Sequence, residues 1–369
     1  MLSLTGLRLK RPRLALALLI GGLYASQALA TANVACVASA GDLTLALAAL
    51  STAPGDTNAD EIRIRVGTYV APVSGWIGTV INHHDLTIRG GYVDALCTQQ
   101  ARDASLTVLD GDNVSGILAI NATAIPASNV EISGLTFQNG NGSSPFQSAA
   151  GALKVGDSNA IFGGTILIER NIFRHNSAVT GIPGTSSVGA LLAATDGNGL
   201  VVRDNLFVDN SSPNVPAALI VSDNAIDLSN NTFTANHATD ALQQRVIVDY
   251  FTPTGLSLDN NIFWGNSTGV GISDIDVSGT FRHAHLDSND IETLIGTPAS
   301  TTNALHVDPD FRGNGDFRLA PFSSLIDAGT NVPSGGTGLV DLDGADRLDG
   351  LAIDVGAYET NYLFVDGFD

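Results

Sequence analysis

Four aspartates occupy comparable places in a chain whose segments repeat: Asp157, Asp196, Asp223 and Asp249 each follow a short apolar run. Stacked in register, they would form a column of carboxylates. Like charges at that spacing either face water or hold a cation such as Ca2+. Asp196, Asp223 and Asp249 are therefore the candidate catalytic residues, with Arg203 or Arg245 close in sequence as a cationic partner. Two reactions suit such a set. A polysaccharide lyase needs a base, often Arg or Lys, and carboxylate-held Ca2+ to acidify the sugar proton. A glycoside hydrolase needs two carboxylates flanking the glycosidic bond. The plainer reading is that each Asp starts a turn by bonding its own backbone, and the different local context of every copy favours it.

Other chemistry-bearing residues are sparser. His83-His84 precede an expected strand, while His283 and His285 alternate and so share a strand face, where a solvated position explains them without a metal. Asp341-Leu-Asp-Gly-Ala-Asp346 has the acids of a Ca2+ loop but no distal bidentate Glu, so it reads as a Gly/Asp turn. Tyr250, Phe251 and Trp264 suit either sugar stacking or a core. The chain has neither a nucleotide-binding Gly loop nor a Ser/His/Asp elbow. Ca2+ is the one cofactor the sequence raises, and no resident metal or organic cofactor is expected.

The elements that must position these groups come from a repeat. Val130-Glu-Ile132 leads to Phe137, Ile166-Leu-Ile168 to Phe173, Leu200-Val-Val202 to Phe207, Ile226-Asp-Leu228 to Phe233, and Leu256-Ser-Leu258 to Phe263. Aliphatic residues seven and five positions before each Phe give a period of two, the signature of a strand with one buried face. Asn171, Asn205, Asn231 and Asn261 precede four of these Phe residues by two, and Asn176, Asn210, Asn236 and Asn266 follow by three. Asn tolerates the left-handed backbone of a sharp bend. Stacked at about 4.8 Å, its amides can also bond into a ladder. A further apolar strand precedes each later copy, as in Gly151–Val155 and Gly189–Ala193. Successive Phe residues lie 36, 34, 26 and 30 positions apart, which suits coils with loops of unequal length and is short for a propeller blade. The expected fold is all-β, a right-handed parallel β-helix. A short helix over Asp42–Leu50 should cap its first coil, and an Asp/Gly-rich region should cap the C-terminal side.

The chain ends and charge supply an address. Arg8, Lys10, Arg11 and Arg13, an apolar run over Leu14–Leu23 and Ala28-Leu29-Ala30 form a signal-peptide pattern over residues 1–30. The run is too short to span a bilayer comfortably, and no later segment is a transmembrane candidate. The whole chain has 17 Lys+Arg against 37 Asp+Glu, and removing the four basic leader residues leaves 13 against 37, a formal charge of −24. Such a surface repels nucleic acid and anionic lipid and accepts cations or neutral and cationic glycans. Cys36 and Cys97 both follow the cleavage site, and in an oxidising compartment they should pair as a disulfide.

The C-terminal stretch carries a family likeness. Asp308-Pro-Asp-Phe311, Asp316-Phe-Arg-Leu319, Ser324-Leu-Ile-Asp-Ala-Gly329 and Asp354-Val-Gly-Ala-Tyr-Glu359 occur in that order. Together with Asn260-Asn-Ile-Phe-Trp-Gly-Asn266, Gly67-Thr-Tyr69 and Gly90-Gly-Tyr92, they resemble bacterial β-helix proteins of the choice-of-anchor Q type, whose repeats are like those of polymorphic outer-membrane proteins. Phe322-Ser-Ser324 departs from that group's usual Ser-Pro pair. The resemblance implies an exported or surface-displayed solenoid, and little chemistry. The fold expectation is also similar to that of pectate lyases and polygalacturonases, although none of their motifs is present. The organisation expected is a signal peptide (1–30), a β-helix (31–305), a C-terminal capping region (306–359) and a short tail (360–369). The function expected is a binding or structural module at the cell surface or in the medium, directed at polysaccharide or cell-surface glycan. A lyase or hydrolase is the competing expectation.

Overall fold

The computed structural model describes residues 33–50, 59–80, 85–122, 128–142, 150–156, 162–178, 188–195, 199–213, 215, 217–222, 224–239, 247–250, 255–268, 274–277 and 283–360. All belong to the unit Thr31–Asp369. The signal-peptide stretch and residues 361–369 lie outside the described residues.

The period-two segments become strands, and among the described residues these form three long parallel sheets of ten, six and eight strands, to each of which the middle coils contribute one strand. In a middle coil, Leu191–Thr195 lies in the six-stranded sheet, Gly199–Arg203 in the ten-stranded sheet and Leu206–Val208 in the eight-stranded sheet. This is a parallel β-helix, with strands pairing one coil to the next: Leu200 faces Ile166 behind and Ile226 ahead. The repeat runs one coil further than the sequence marks, through Ala284–Asp287 and Asp290–Ile291. It also begins earlier, because Tyr69 and Leu109 hold the places in register with Phe137.

The interior is a stack of like on like. Phe137, Phe173, Phe207, Phe233 and Phe263 are fully buried, and their rings lie nearly parallel with centroids 4.5–5.2 Å apart. Beside them run two amide ladders. Asn171 Nδ2 donates to Asn205 Oδ1 (3.2 Å), Asn205 to Asn231 (3.0 Å), Asn231 to Asn261 (3.0 Å), and Asn261 to Asn289 (2.9 Å). The second ladder passes from Asn176 through Asn210, Asn236 and Asn266 to the carboxylate of Asp274, 2.9 Å from Asn266 Nδ2. Each Asn Oδ1 also accepts a backbone N–H from the coil before, as Asn205 does from Asn171 (2.9 Å), so these backbone donors are satisfied where the sheets break.

The bends correct one expectation. The left-handed residue is not the ladder Asn but the one preceding it: Arg170, Asp204, Asn230, Asn260 and Ser288 have φ of 51–58°. The same holds for His175, Asp209 and Ala235 in front of the second ladder. The ladder Asn is needed for its side chain, which must point inward while the backbone turns at its neighbour.

The ends and flank complete the fold. The helix spans Ala40–Ala49, capped by Ser39 Oγ accepting from the Asp42 N–H, and buries Leu43 and Leu47 over the first coil. Cys36 and Cys97 form a disulfide that ties this head across a separation of 61 residues. The C-terminal region does its covering along the side of the coils. It places Leu342, Ala357 and Tyr358 against Ile172, Leu206 and Val208, which project outward from the eight-stranded sheet. Leu319, Leu325 and Val355 pack on Ile262 in the same way.

The stack sets a stability expectation. Phe207→Ala should cost about 3–5 kcal/mol in denaturant unfolding, because rigid neighbours above and below cannot collapse into the void. A loss under about 1 kcal/mol would contradict a tight aromatic column.

Candidate functional site

The backbone register decides part of the expected acidic column. Asp249 lies in the strand Ile247–Tyr250 and pairs with Ile220, whereas Asp223 follows that preceding strand, three residues beyond Ile220. Asp249 is thus out of step with Asp223, so the four aspartates do not share one register. Asp157, Asp196 and Asp223 lie outside the described residues, as do Arg245, His83, His84 and Phe251. The physical reason is the unequal run between strand start and Asp. Asp196 stands five residues past Leu191 and Asp223 five past Ala218, whereas Asp249 stands two past Ile247, and these three starts are in register.

The outer face of the ten-stranded sheet brings together a different set of charges. Its outward positions form two rows. One passes from Glu61 through Thr87, Glu131, Leu167, Val201, Asp227, Ser257 and His285 to Ser300. The other places Arg63 beside Arg89, then Ser133, Glu169, Arg203, Ser229, Asp259, Asp287 and Thr302.

In the earlier coils the arginines are neutralised in place. Arg89 forks onto both oxygens of Glu131 at 2.8 Å, and Arg63 meets Glu61 at 2.8 Å. Arg203 Nε and Nη2 reach Glu169 at 2.9 and 2.7 Å. Burial alone would raise the Glu131 pKa, but the Arg89 fork outweighs it and leaves the carboxyl below its ordinary range. Arg203, one cation expected to serve the acids, is therefore committed to Glu169 and to Gly335 O at 2.9 Å.

In the later coils the face turns acidic. Asp259 lies directly opposite Asp287 and diagonal to Asp227. Asp227 is pushed up by burial and then by the neighbouring Asp259 charge. Asp259 is also raised, by burial first, although the Ser334 N–H donates to it at 2.6 Å. The segment around 333–338 forms a wall along this part of the sheet, its Gly336 O accepting from Ser229 Oγ at 3.3 Å. His285 is exposed, its Nδ1 2.8 Å from Ser300 Oγ. Among the described residues no group of three His, Cys, Asp or Glu side chains could hold a metal ion, and no helix is long and apolar enough to cross a membrane. Asp227, Asp259 and Asp287 were open to discovery from sequence, since each alternates with inward Ile226, Leu228, Leu258 or Leu286.

Two further features complete the inventory. Trp264 is half-buried against His306 (ring centroids 5.9 Å apart), which makes it packing for the C-terminal region. Asp341 is buried and accepts the N–H groups of Asp343 and Ala345, the Asp/Gly turn expected there.

No family model matches the chain, and no curated protein matches it. Among solved structures it is similar to the crystal structure of pectate lyase Pel9A, at 15% identity over 85% of this chain and 90% of that one, with a TM-score of 0.31.

The ladder terminus at Asp274 gives a pH expectation. Burial pushes this carboxyl up to about 7, against the bonds it accepts from Asn266 and the Thr293 N–H. Its unfolded value is about 3.9, so between about pH 4 and 7 the folded state binds more protons than the unfolded one. Stability from this group is full below about pH 4 and declines as pH rises through about 7. Thermal melts at about pH 5 and about pH 8 should show a shallower decline for Asp274→Asn than for the parent. An equal slope in the two proteins would contradict the assignment.

Proposed function

We propose that the protein is an exported or surface-exposed β-helix that binds glycans along the outer face of its ten-stranded sheet. The observation that carries this reading is the in-register polar row Asp227, Ser257, His285 and Ser300. A linear polymer laid across the strands meets a new hydrogen-bonding side chain about every 4.8 Å, the spacing of the coils. The opposing pair Asp259 and Asp287 supplies acceptors beside that row, and the net charge of −20 suits neutral or cationic sugars over anionic ones. Export is supported by the leader pattern over residues 1–30 and by the Cys36–Cys97 disulfide, which oxidising compartments favour. The choice-of-anchor Q resemblance of the C-terminal motifs points the same way.

A lyase or hydrolase is the second reading. It draws on Asp227 and Asp259, whose raised pKa values are the kind an acid–base pair uses, or on Asp196, Asp223 and Asp249. Among the described residues no unpaired Arg stands beside Asp227 to act as the lyase base, since Arg203 is bound to Glu169.

The test is one polysaccharide panel read two ways. Binding is measured by affinity electrophoresis. Sugar release is followed as reducing ends and unsaturated uronate absorbance, with Ca2+ and again with chelator. Retention without release is expected. His285→Ala combined with Asp287→Ala should weaken retention by about tenfold, the loss of roughly 1.4 kcal/mol in hydrogen bonds. Release that disappears in Asp227→Asn or Asp223→Ala would instead make the protein an enzyme. Absence of both retention and release would overturn the glycan reading.

A further inference from the structure

The eight-stranded sheet has an apolar outer row, with Ile172, Leu206 and Ile262 in successive or near-successive coils, and the C-terminal region covers it. Between cover and coils lies a dry cluster of charges. Asp204, at a left-handed bend with φ 55°, is fully buried and neither carboxylate oxygen accepts a hydrogen bond. Its Oδ1 lies 3.3 Å from Nε of Arg347, a cover residue only 2% exposed. Arg347 Nη2 is held inside the cover by the carbonyls of Asp354 and Gly356, and its Nη1 is 3.9 Å from Glu359 Oε2.

The charges around this junction do not balance. The coils bring Asp204, with Arg203 Nε 4.0 Å from its Oδ2 but already tied to Glu169, and Arg170 beside Glu169. The cover brings Arg347 against Glu359, Asp354 and Asp341, all buried, with Asp343 engaged by Arg318 further out. Four buried carboxyl groups thus lie around the Arg347 guanidinium; Glu359, Asp354 and Asp341 also accept backbone N–H groups, whereas Asp204 accepts none. In a dry interface they cannot all ionise without a large cost, so some stay protonated while the interface is closed.

We propose that the C-terminal region 304–360 is a proton-dependent cover, closed over the eight-stranded sheet while Asp204 and Glu359 share protons around Arg347, and lifted in alkaline medium to expose that apolar face. Burial raises Asp204 to about 7 and Glu359 to about 8, partly offset in each case by Arg347. A lifted cover returns both groups to water, where they ionise freely. The open form therefore binds fewer protons, and its share grows as pH rises from about 6 to about 9, up to tenfold per pH unit for each group. The second amide ladder ends on one such group, Asp274, whereas the first, which holds Asn205 and Asn231, runs to Asn289 and so reports coils held by amides alone.

The experiment is hydrogen exchange on the whole mature protein, from about pH 6 to about pH 9, with rates normalised for intrinsic base catalysis. The Gly356, Ala357 and Thr330 amides, bonded across the junction to Asn260 O, Thr232 Oγ1 and Asn260 Oδ1, report the cover. The Asn205 and Asn231 amides report the coils. Cover protection should fall at least tenfold while coil protection holds, with a parallel gain in binding of an apolar fluorescent dye. Asp204→Asn should flatten the response, and it is safe for the fold because the next two coils carry Asn230 and Asn260 at this bend. Glu359→Gln provides the independent second variant. Cover protection that ignores pH, cover and coils opening together, or an undiminished pH response in both variants would each overturn the proposal.

Discussion

The repeat distance between coils governs everything else. Parallel strands pair at about 4.8 Å, and any side chain placed identically in successive coils meets its own kind at that separation. Phenyl rings and carboxamides tolerate this: rings stack face to face, and an amide is both donor and acceptor, so a column of either is self-satisfying. Carboxylates do not tolerate it. The molecule accordingly keeps Phe and Asn in its interior columns. Where a carboxylate joins a column, as Asp274 does below Asn266, it stands at the end and retains its proton to a raised pH.

That constraint also explains why the loops are free to vary. Register is enforced at the strands and at the two ladders, so the chain between them can lengthen or shorten without disturbing the stack. Asp249 lies inside a strand of the six-stranded sheet, opposite Ile220, and so stands three residues out of step in sequence with Asp223. Charges that do remain in register are those inside strands on the ten-stranded sheet. There the earlier coils pair Arg with Glu across strands, while the later ones leave Asp227, Asp259 and Asp287 with serines and a histidine for company.

The outer faces have divided their roles accordingly. On the polar face of the ten-stranded sheet the segment around 333–338 leans on Val201, Arg203, Asp227, Ser229 and Asp259. The apolar face of the eight-stranded sheet is shielded by the C-terminal region. The same region thus shields one face and walls the other, and Asp259 and Asp204 are where it touches each.

The sequence by itself determined the coil: aliphatic residues at a spacing of two, Phe at a fixed offset and Asn at two more describe strand, bend and strand with no partner needed to interpret them. It also determined the helical head, since Ser39 and the apolar face from Leu43 to Leu47 are local signals, and it supported the disulfide through the presence of two cysteines beyond residue 30. Which residue bends was not legible, because positive φ falls on Arg170, Asp204 and Ala235, types that do not advertise it; the inward demand of the following Asn imposes it. The position of residues 304–360 was decided only by tertiary structure. Their Asp/Gly turns specify local geometry but carry no register with the coils. What docks them is apolar contact with Ile172, Leu206 and Ile262 together with the Arg347–Asp204 pair, formed by residues 143 positions apart in the chain.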